Sequence, residues 1–221
     1  MADRVRVGGR LISLVDAAKW IDAYFAEDAN RHGTKPYAYP YYDRMSTGSD
    51  PDELNDGDLL APTLLNVRMS IAAFRSLQSV RAELEEGLAR IPAGLTLDVA
   101  VAQGRHQELL AGIVGVLDHH ELYGVNMTTL SKVLHRKRPA FMPLYDSHVR
   151  ACYVGSGSGY PIARAAYRTM QWVEAMGTLA ACIADDLTSQ ARIWDELADG
   201  LPVSRLRLID VVAWRAGARL G

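Results

Sequence analysis

Cysteine is scarce in this sequence, and its scarcity excludes several classes of protein. Only Cys152 and Cys182 occur among 221 residues. Two cysteines suit neither a disulfide-bonded scaffold nor a structural zinc site. The histidines are scattered, and the adjacent pair His119 and His120 would point in different directions on a helix rather than toward one metal. We therefore expect neither a bound metal nor a cofactor.

Long apolar runs are absent too. No apolar stretch approaches the roughly 20 residues that a membrane span requires. The first ten residues, MADRVRVGGR, are charged where a signal peptide would be apolar. The Gly-x-Ser-x-Gly motif of serine hydrolases does not occur. These absences favour a cytoplasmic protein without a membrane span.

The overall charge is unlike that of a protein whose binding is dominated by phosphate backbones. Lys and Arg number 24 against 26 Asp and Glu, for a net charge of −2. Between residues 121 and 150 the balance is reversed, because Glu121 and Asp146 oppose five basic residues: Lys132, Arg136, Lys137, Arg138 and Arg150. This local surplus predicts either contact with nucleic acid or a solvated helix end whose cations favour the helix dipole.

Hydrophobic periodicity predicts an all-α fold. Apolar residues make up 49% of the chain and recur at helical spacing, without convincing alternation of period two. We expect one compact helical body over residues 1–221, as a single domain or as two closely packed lobes. Val5 to Ile12 is predicted as a short extended entry, residues 30–58 as a loop and Gly155 to Pro161 as a flexible link. Two of the predicted helices have only a predicted start, one at Leu59 with Asp58 as its cap and one at Asp146. The other predicted helices run approximately from Ser13 to Glu27, from Ser70 to Ile91, from Asp98 to His120, from Met127 to Pro139, from Ile162 to Asp185, from Ser189 to Leu197 and from Ser204 to Ala218.

The most informative stretch runs from Leu122 to Arg150. It opens with Leu-Tyr-Gly-Val-Asn, where Gly124 and Asn126 are residue types that tolerate positive φ and so permit a sharp turn. A helical pattern follows this turn. After a proline-containing segment, Asp146 stands where its carboxylate could accept the free amide protons of the next helix.

These residues resemble the core of the helix-hairpin-helix DNA glycosylase superfamily, whose hairpin is typically Leu-Pro-Gly-Val-Gly. The later family segment, of the type Pro-Val-Asp-Thr-His-Val, corresponds to Pro-Leu-Tyr-Asp-Ser-His-Val at positions 143–149. The spacing from Gly124 to Asp146, 146 − 124 = 22 residues, is also similar. The resemblance covers residues 122–150. The whole chain also resembles an uncharacterised family of small actinobacterial proteins, which implies no function.

The resemblance implies roles for residues of this segment. Asp146 would be the catalytic carboxylate, with Tyr145 and His148 beside it. The predicted contacts to nucleic acid are the backbone of Gly124, Val125 and Asn126, together with Thr128, Lys132, Arg136, Lys137 and Arg138.

Departures from the family narrow the implied chemistry. Bifunctional members carry a nucleophilic lysine four residues after the first hairpin glycine, and that position is Thr128 here. Two cysteines also exclude the four-cysteine iron–sulfur cluster of many such glycosylases. Asn126 replaces the second hairpin glycine; it can still take a left-handed conformation but leaves less room beside a phosphate. Only monofunctional chemistry is expected.

Aromatic residues are densest in the predicted loop before residue 58. The tyrosines there could stack on a base or another flat ligand, or they could pack against the helical core and hold the loop in place. Asn66, the polar residue of an apolar run, could contact a ligand or make a structural hydrogen bond. The predicted pocket residues are therefore Tyr37, Tyr39, Tyr41, Tyr42 and Asn66.

Two classes of function follow from these observations. The chain is predicted to be a monofunctional DNA N-glycosylase that acts on a modified or damaged base through Asp146. The alternatives are a non-catalytic module that binds nucleic acid or protein, in which Asp146 only caps a helix, and an enzyme that acts on a nucleoside-like small molecule in the same pocket.

Overall fold

Helices make up most of the fold in the computed structural model, which describes residues 3–26 and 39–218. The prediction of a mainly helical protein is confirmed in this coarse form. Two small sheets accompany the helices, an antiparallel β1–β2 pair and a parallel β3–β4 pair. Their strands are β1 (Arg4–Val7), β2 (Arg10–Ser13), β3 (Val154–Gly155) and β4 (Ile162–Ala163).

The predicted extended entry is confirmed and forms the antiparallel hairpin. Val5 lies opposite Ile12, and both side chains are buried, so the hairpin contributes an apolar face to the core. Ser13 then caps the first helix, because its hydroxyl accepts the amide proton of Asp16 at 3.1 Å.

The helices described before the central turn are 4 to 12 residues long. A 3-10 helix, Ala61–Leu65, follows the third of them directly. Their bounds are α1 (Leu14–Phe25), α2 (Tyr39–Arg44), α3 (Asp56–Leu60), α4 (Ile71–Ser79), α5 (Arg81–Ala89), α6 (Leu97–Ala102), α7 (His106–Val114) and α8 (Val116–His119).

The two longest helices that the structure describes lie in the second half of the chain. The six described helices that follow the turn at residues 122–126 share the core with the earlier ones. Their bounds are α9 (Met127–Lys137), α10 (Ser147–Tyr153), α11 (Arg164–Tyr167), α12 (Trp172–Ser189), α13 (Ala191–Ala198) and α14 (Arg205–Ala218).

Several predicted helices are divided in the structure. The stretch from Ser70 to Ile91 is interrupted at Val80, whose side chain is buried although its φ of −107° and ψ of 8° leave the helix. Apolar residues continue at helical spacing across this break because α4 and α5 both bury one face, so the pattern did not reveal it. The stretch from Asp98 to His120 is likewise divided into α6, α7 and α8, and the one predicted from Ile162 begins as β4 and α11.

Helix boundaries also differ near Asp58. The helix predicted from Leu59 begins at Asp56, and Asn55 caps it by accepting the amide proton of Asp58 at 3.1 Å. The carboxylate of Asp58 accepts in return from the amide of Asn55 at 3.0 Å. Asp58 is thus the third residue of a capping box rather than the cap itself.

The last helix, α14, lies in the centre of the protein. It packs against α1, α10, α12 and α13, and burial extends round most of its circumference between Leu206 and Ala213. Arg207 and Asp210 therefore lie in the interior despite their charge. Among the residues that the structure describes, no helix is long and apolar enough to cross a membrane.

Candidate functional site

The turn at residues 122–126 joins two helices, α8 and α9, as predicted. Gly124 adopts a φ of +74°, and a Cβ placed there would lie 3.2 Å from the Cβ of Ala73. Glycine therefore suits both the backbone conformation and the close approach to α4. Asn126 tolerates a left-handed conformation, but the structure does not use it there. Its φ is −133°, because it caps α9 by accepting the amide proton of Thr129 at 3.0 Å.

Asp146 caps α10, as the sequence indicated. One carboxylate oxygen, Oδ1, accepts the amide protons of His148 and Val149, each at 2.8 Å. These bonds fix the orientation of the carboxylate. The side chain also faces an interior cavity, so capping does not account for its whole environment.

The cavity has a volume of about 230 Å³ and lies between α9, α14 and the segment around Asn66. Its wall combines apolar side chains with several that can carry charge, which is the usual composition of a small-molecule site. The lining residues are Tyr24, Leu65, Asn66, Lys132, Leu144, Asp146, Arg207, Asp210, Val211 and Trp214.

Lys132 is the buried amine of this cavity. Only 5% of the residue is exposed. Within residues 3–26 and 39–218, its Nζ has no hydrogen bond and no ion pair within 4 Å. Burial lowers the pKa of Lys132, while the nearby carboxylates of Asp146 and Asp210 oppose that effect. The cavity thus holds an amine and two carboxyl groups that influence it.

Arg207 anchors a buried polar network behind the cavity. Its Nε donates to Oδ1 of Asp43 at 2.8 Å, and its guanidinium also contacts Oδ2 of Asp210 and the hydroxyl of Tyr24. Burial raises the pKa of Tyr24, so its hydroxyl remains protonated. Two carboxylates share the single guanidinium, which keeps the network together in the interior.

Asp210 is the second carboxyl group at the cavity. Burial raises its pKa to about 6, Arg207 opposes this rise, and the charge of Asp146 adds to it. A carboxyl group with such a pKa exists in both protonation states near neutral pH. The cavity therefore presents one carboxylate fixed by backbone amides and one carboxyl group able to carry a proton.

Asn66 has an unusual backbone at the edge of the cavity. Its φ is +58° and its ψ is 25°, a left-handed conformation that asparagine tolerates better than most residues. It ends the 3-10 helix, and its amide donates to the carbonyl oxygen of Thr63 at 3.1 Å. The structure thus places three sequence-predicted residues, Asn66, Lys132 and Asp146, around one space.

Tyr145 and His148, predicted beside the catalytic carboxylate, are not among the residues that line this cavity. Tyr145 is directed into the core, where its hydroxyl accepts a hydrogen bond from Tyr167 at 3.1 Å and its ring meets Trp172 edge-on. The backbone of His148, rather than its imidazole, contacts Asp146. The difference arises because residues adjacent to a helix cap point to different sides of the chain.

The predicted tyrosine pocket is not assembled as expected. Tyr42 is buried and donates its hydroxyl proton to the backbone oxygen of Lys132 at 2.6 Å, so it supports the cavity from behind. Tyr41 is 57% exposed and does not line the cavity. Tyr37 lies outside the described residues, and Tyr39 is described only as the first residue of α2.

The basic residues at the end of α9 do not form an exposed cationic surface. The side chains of Arg136, Lys137 and Arg138 are 9%, 7% and 1% exposed. Arg138 donates from Nε to the carbonyl oxygen of Ile91 at 2.7 Å, and Lys137 lies 3.0 Å from Oδ2 of Asp58. The expectation that these cations face a phosphate from an exposed surface is wrong, because their side chains are bonded to carbonyl and carboxylate groups of their own chain.

The sequence reasoning missed seven of the ten lining residues, among them Tyr24, Arg207, Asp210 and Trp214. A signal for two of them was present, because Arg207 and Asp210 stand three residues apart in an otherwise mainly apolar helix. Within residues 3–26 and 39–218, no group of three or more His, Cys, Asp or Glu side chains could hold a metal ion.

Fold and cavity together define a helical protein with a polar, partly enclosed interior site. A family model described as a family of unknown function, DUF6308, matches residues 17–217, and the chain belongs to that family. No curated protein and no solved structure matches the chain. The family description carries no activity, so the relation to helix-hairpin-helix glycosylases stays a prediction.

Proposed function

We propose that this protein is an enzyme that hydrolyses an N-glycosidic bond in the Asp146 cavity, and that its substrate is a small nucleoside-like molecule. The observation that carries this proposal is the presence of two differently held carboxyl groups in one cavity. Asp146 is fixed by two backbone amides, whereas Asp210 is buried and has a pKa raised to about 6.

The two groups suit opposite needs of the reaction. Breaking an N-glycosidic bond develops positive charge on the sugar, which the carboxylate of Asp146 stabilises while it orients the attacking water. The departing base needs a proton, which Asp210 supplies when it is protonated. Lys132 reduces the repulsion between the two carboxyl groups, and Trp214 and Tyr24 offer aromatic surface to a flat base.

A small substrate is favoured over duplex DNA by the distribution of charge. The cations that the sequence concentrates near residue 137 are committed to Asp58 and to backbone carbonyls. A volume of about 230 Å³ is below the range of roughly 300–1,000 Å³ typical of drug-sized ligands and suits a compact molecule.

DNA N-glycosylase activity is the second candidate. The turn at Gly124 and Asn126 is exposed, so its backbone is accessible to a phosphate group. The resemblance of residues 122–150 to the glycosylases supports the same candidate. A base would then have to leave the stack to enter the cavity.

Release of free base is the test of the proposal. Purified full-length protein is incubated with a panel of nucleosides, nucleoside monophosphates and duplexes that contain modified bases, and free base is separated by chromatography. Release from the small molecules supports the main proposal, and release only from duplexes supports the second candidate. If no member of either group loses its base, Asp146 is a helix cap in a binding module, and the proposed activity is rejected.

The pH dependence adds a second readout. Asp210 donates a proton only when it is protonated, so the turnover number should fall as pH rises through about 6. The Asp210→Asn variant cannot donate in this way and should have low turnover without that descending limb. A descending limb unchanged in Asp210→Asn would assign the proton donor to another group.

A further inference from the structure

A second concave surface includes Ser147, the residue that follows Asp146. It is a groove of about 410 Å³ between α10 and α11. Three arginines, Arg150, Arg164 and Arg168, line it together with Ser147 and Tyr167. We refer to it as the arginine groove.

Nothing in the arginine groove neutralises these charges. Within the described part of the chain, none of the three guanidinium groups has a hydrogen bond or an ion pair within 4 Å, and no carboxylate lines the groove. The segment that forms the groove contributes no acidic residue, because no aspartate or glutamate occurs between Ser147 and Val173. Three cations therefore share a surface that has no acidic side chain of its own.

This arrangement is unfavourable without a ligand. Arg164 and Arg168 stand four residues apart, where like charges repel by roughly 0.2–0.5 kcal/mol. Several other arginines of this protein have a carboxylate partner, as Arg81 has in Glu85 at 2.9 Å. An anion bound in the arginine groove would remove the repulsion.

We propose that the arginine groove binds a phosphate group. Guanidinium groups match phosphate oxygens because two parallel N–H donors can contact two oxygens at once. The hydroxyl of Ser147 supplies a further donor of the kind that phosphate sites use. The groove is exposed, so a phosphate can enter it from solvent.

The phosphate has two sources that share this chemistry. It is either a free phosphate ion or the phosphate of a small substrate whose base enters the neighbouring cavity. The second source rests on the proposed function, because Asp146 lines the cavity and Ser147 lines the groove, with consecutive Cα atoms about 3.8 Å apart. Phosphate binding itself does not depend on catalysis.

Calorimetric titration of the full-length protein tests the site. The probes are inorganic phosphate, pyrophosphate, a nucleoside 5′-monophosphate and the corresponding nucleoside. The variants are Arg164→Gln and Arg168→Gln, and the matched control is Arg75→Gln, which removes an exposed arginine outside the groove. Thermal melting verifies that all variants remain folded.

Each groove substitution should weaken phosphate binding about tenfold or more, since one charge-assisted contact is lost, and Arg75→Gln should leave it unchanged. Tighter binding of the monophosphate than of both phosphate and nucleoside identifies a substrate-borne phosphate. Equal binding of monophosphate and phosphate identifies a free ion. The proposal is overturned if no phosphate probe binds, if the groove variants bind as the wild type does, or if only an oligonucleotide binds.

These readouts separate the site from the proposed function. Loss of phosphate binding in Arg164→Gln without any base-release activity in the wild type would retain the arginine groove and reject the glycosidic reaction. If the wild type binds no phosphate and both groove variants release base at the wild-type rate, the glycosidic reaction is retained and the phosphate site is rejected.

Discussion

The two basic regions of this protein, the end of α9 and the arginine groove, use their charges in opposite ways. At the end of α9, three consecutive cations are buried against Asp58, Asp52 and several carbonyl oxygens. In the arginine groove, three cations that are not adjacent in sequence meet on the surface without a partner in the described chain.

The difference shows that dense positive charge in a sequence does not identify a binding surface. The residues around Lys137 are conspicuous in sequence because they are adjacent, yet each side chain is bonded to carbonyl or carboxylate groups of its own chain. Arg150 and Arg164 are separated in sequence and become a cluster only when α11 packs beside α10. The acidic residues nearby, and not the number of cations, decide which region is free to bind an anion.

The largest effect should come from Arg138→Ala. This side chain is 1% exposed and donates to the carbonyl oxygens of Ile91 at 2.7 Å and Leu88 at 2.6 Å. Its loss leaves buried acceptors unpaired, so the free energy of unfolding should fall by about 3–5 kcal/mol. Urea denaturation measures the change. The matched control, Arg164→Ala in the arginine groove, should alter stability by no more than about 0.5 kcal/mol. Equal losses in both variants would abolish the distinction between the two regions.

Asp58→Asn should have an intermediate effect. Burial favours the neutral form of Asp58, but bonds from Ser49, Asn55, Thr47 and Lys137 outweigh it and lower its pKa. At pH 7 the variant should lose about 2 kcal/mol, because hydrogen bonds to a charged group are removed.

The pH dependence of this difference has a definite sign. Since the folded-state pKa of Asp58 is below its ordinary value of 3.8, its contribution is present above that pH and disappears as pH falls through the folded-state pKa. Urea denaturation of wild type and variant should therefore give curves that converge in acid. Curves that remain equally far apart at all pH values would show that the charge of Asp58 contributes nothing.

The smallest effect is a gain in stability within the arginine groove. Arg164→Glu replaces a like-charge pair with an attractive one, because glutamate four residues before Arg168 is the favourable order on a helix. Stability should rise by about 0.3 kcal/mol while phosphate binding is lost. A reduced melting temperature would indicate that Arg164 has a structural partner instead.

Local features of the fold were predictable from the sequence because they depend on neighbouring residues. The cap at Asp146, the turn at Gly124 and the helical character of the chain follow from turn chemistry and periodicity. The break at Val80 was not predictable, since apolar spacing continues through it.

The site was predictable only in part. Asp146 and Asn66 were recognised as polar residues in special contexts, and both line the cavity. Asp210 and Arg207 were missed, because their role depends on α14 lying in the centre of the protein, which is a matter of long-range packing. For the same reason, sequence adjacency placed Tyr145 and His148 at the site although neither lines the cavity.

Two aspartates that each accept two backbone amide protons at the start of a helix provide the most direct test of the catalytic proposal. Asp118 accepts the amide protons of Trp172 and Val173 at 2.8 and 2.9 Å, much as Asp146 accepts two amide protons, but it does not line the cavity. Asparagine retains the size of the side chain at either position. It keeps the single capping oxygen of Asp146 and one of the two accepting oxygens of Asp118, so thermal melting verifies that both variants remain folded.

The decisive measurement is the single-turnover rate of base release for Asp146→Asn and Asp118→Asn on the best substrate of the panel. We predict that Asp146→Asn slows release by about 100-fold or more, as expected if electrostatic stabilisation of about 2.7 kcal/mol is lost. Asp118→Asn should release base at the wild-type rate. Wild-type release by Asp146→Asn, or an equal reduction in both variants, would contradict the assignment of Asp146 as the catalytic carboxylate.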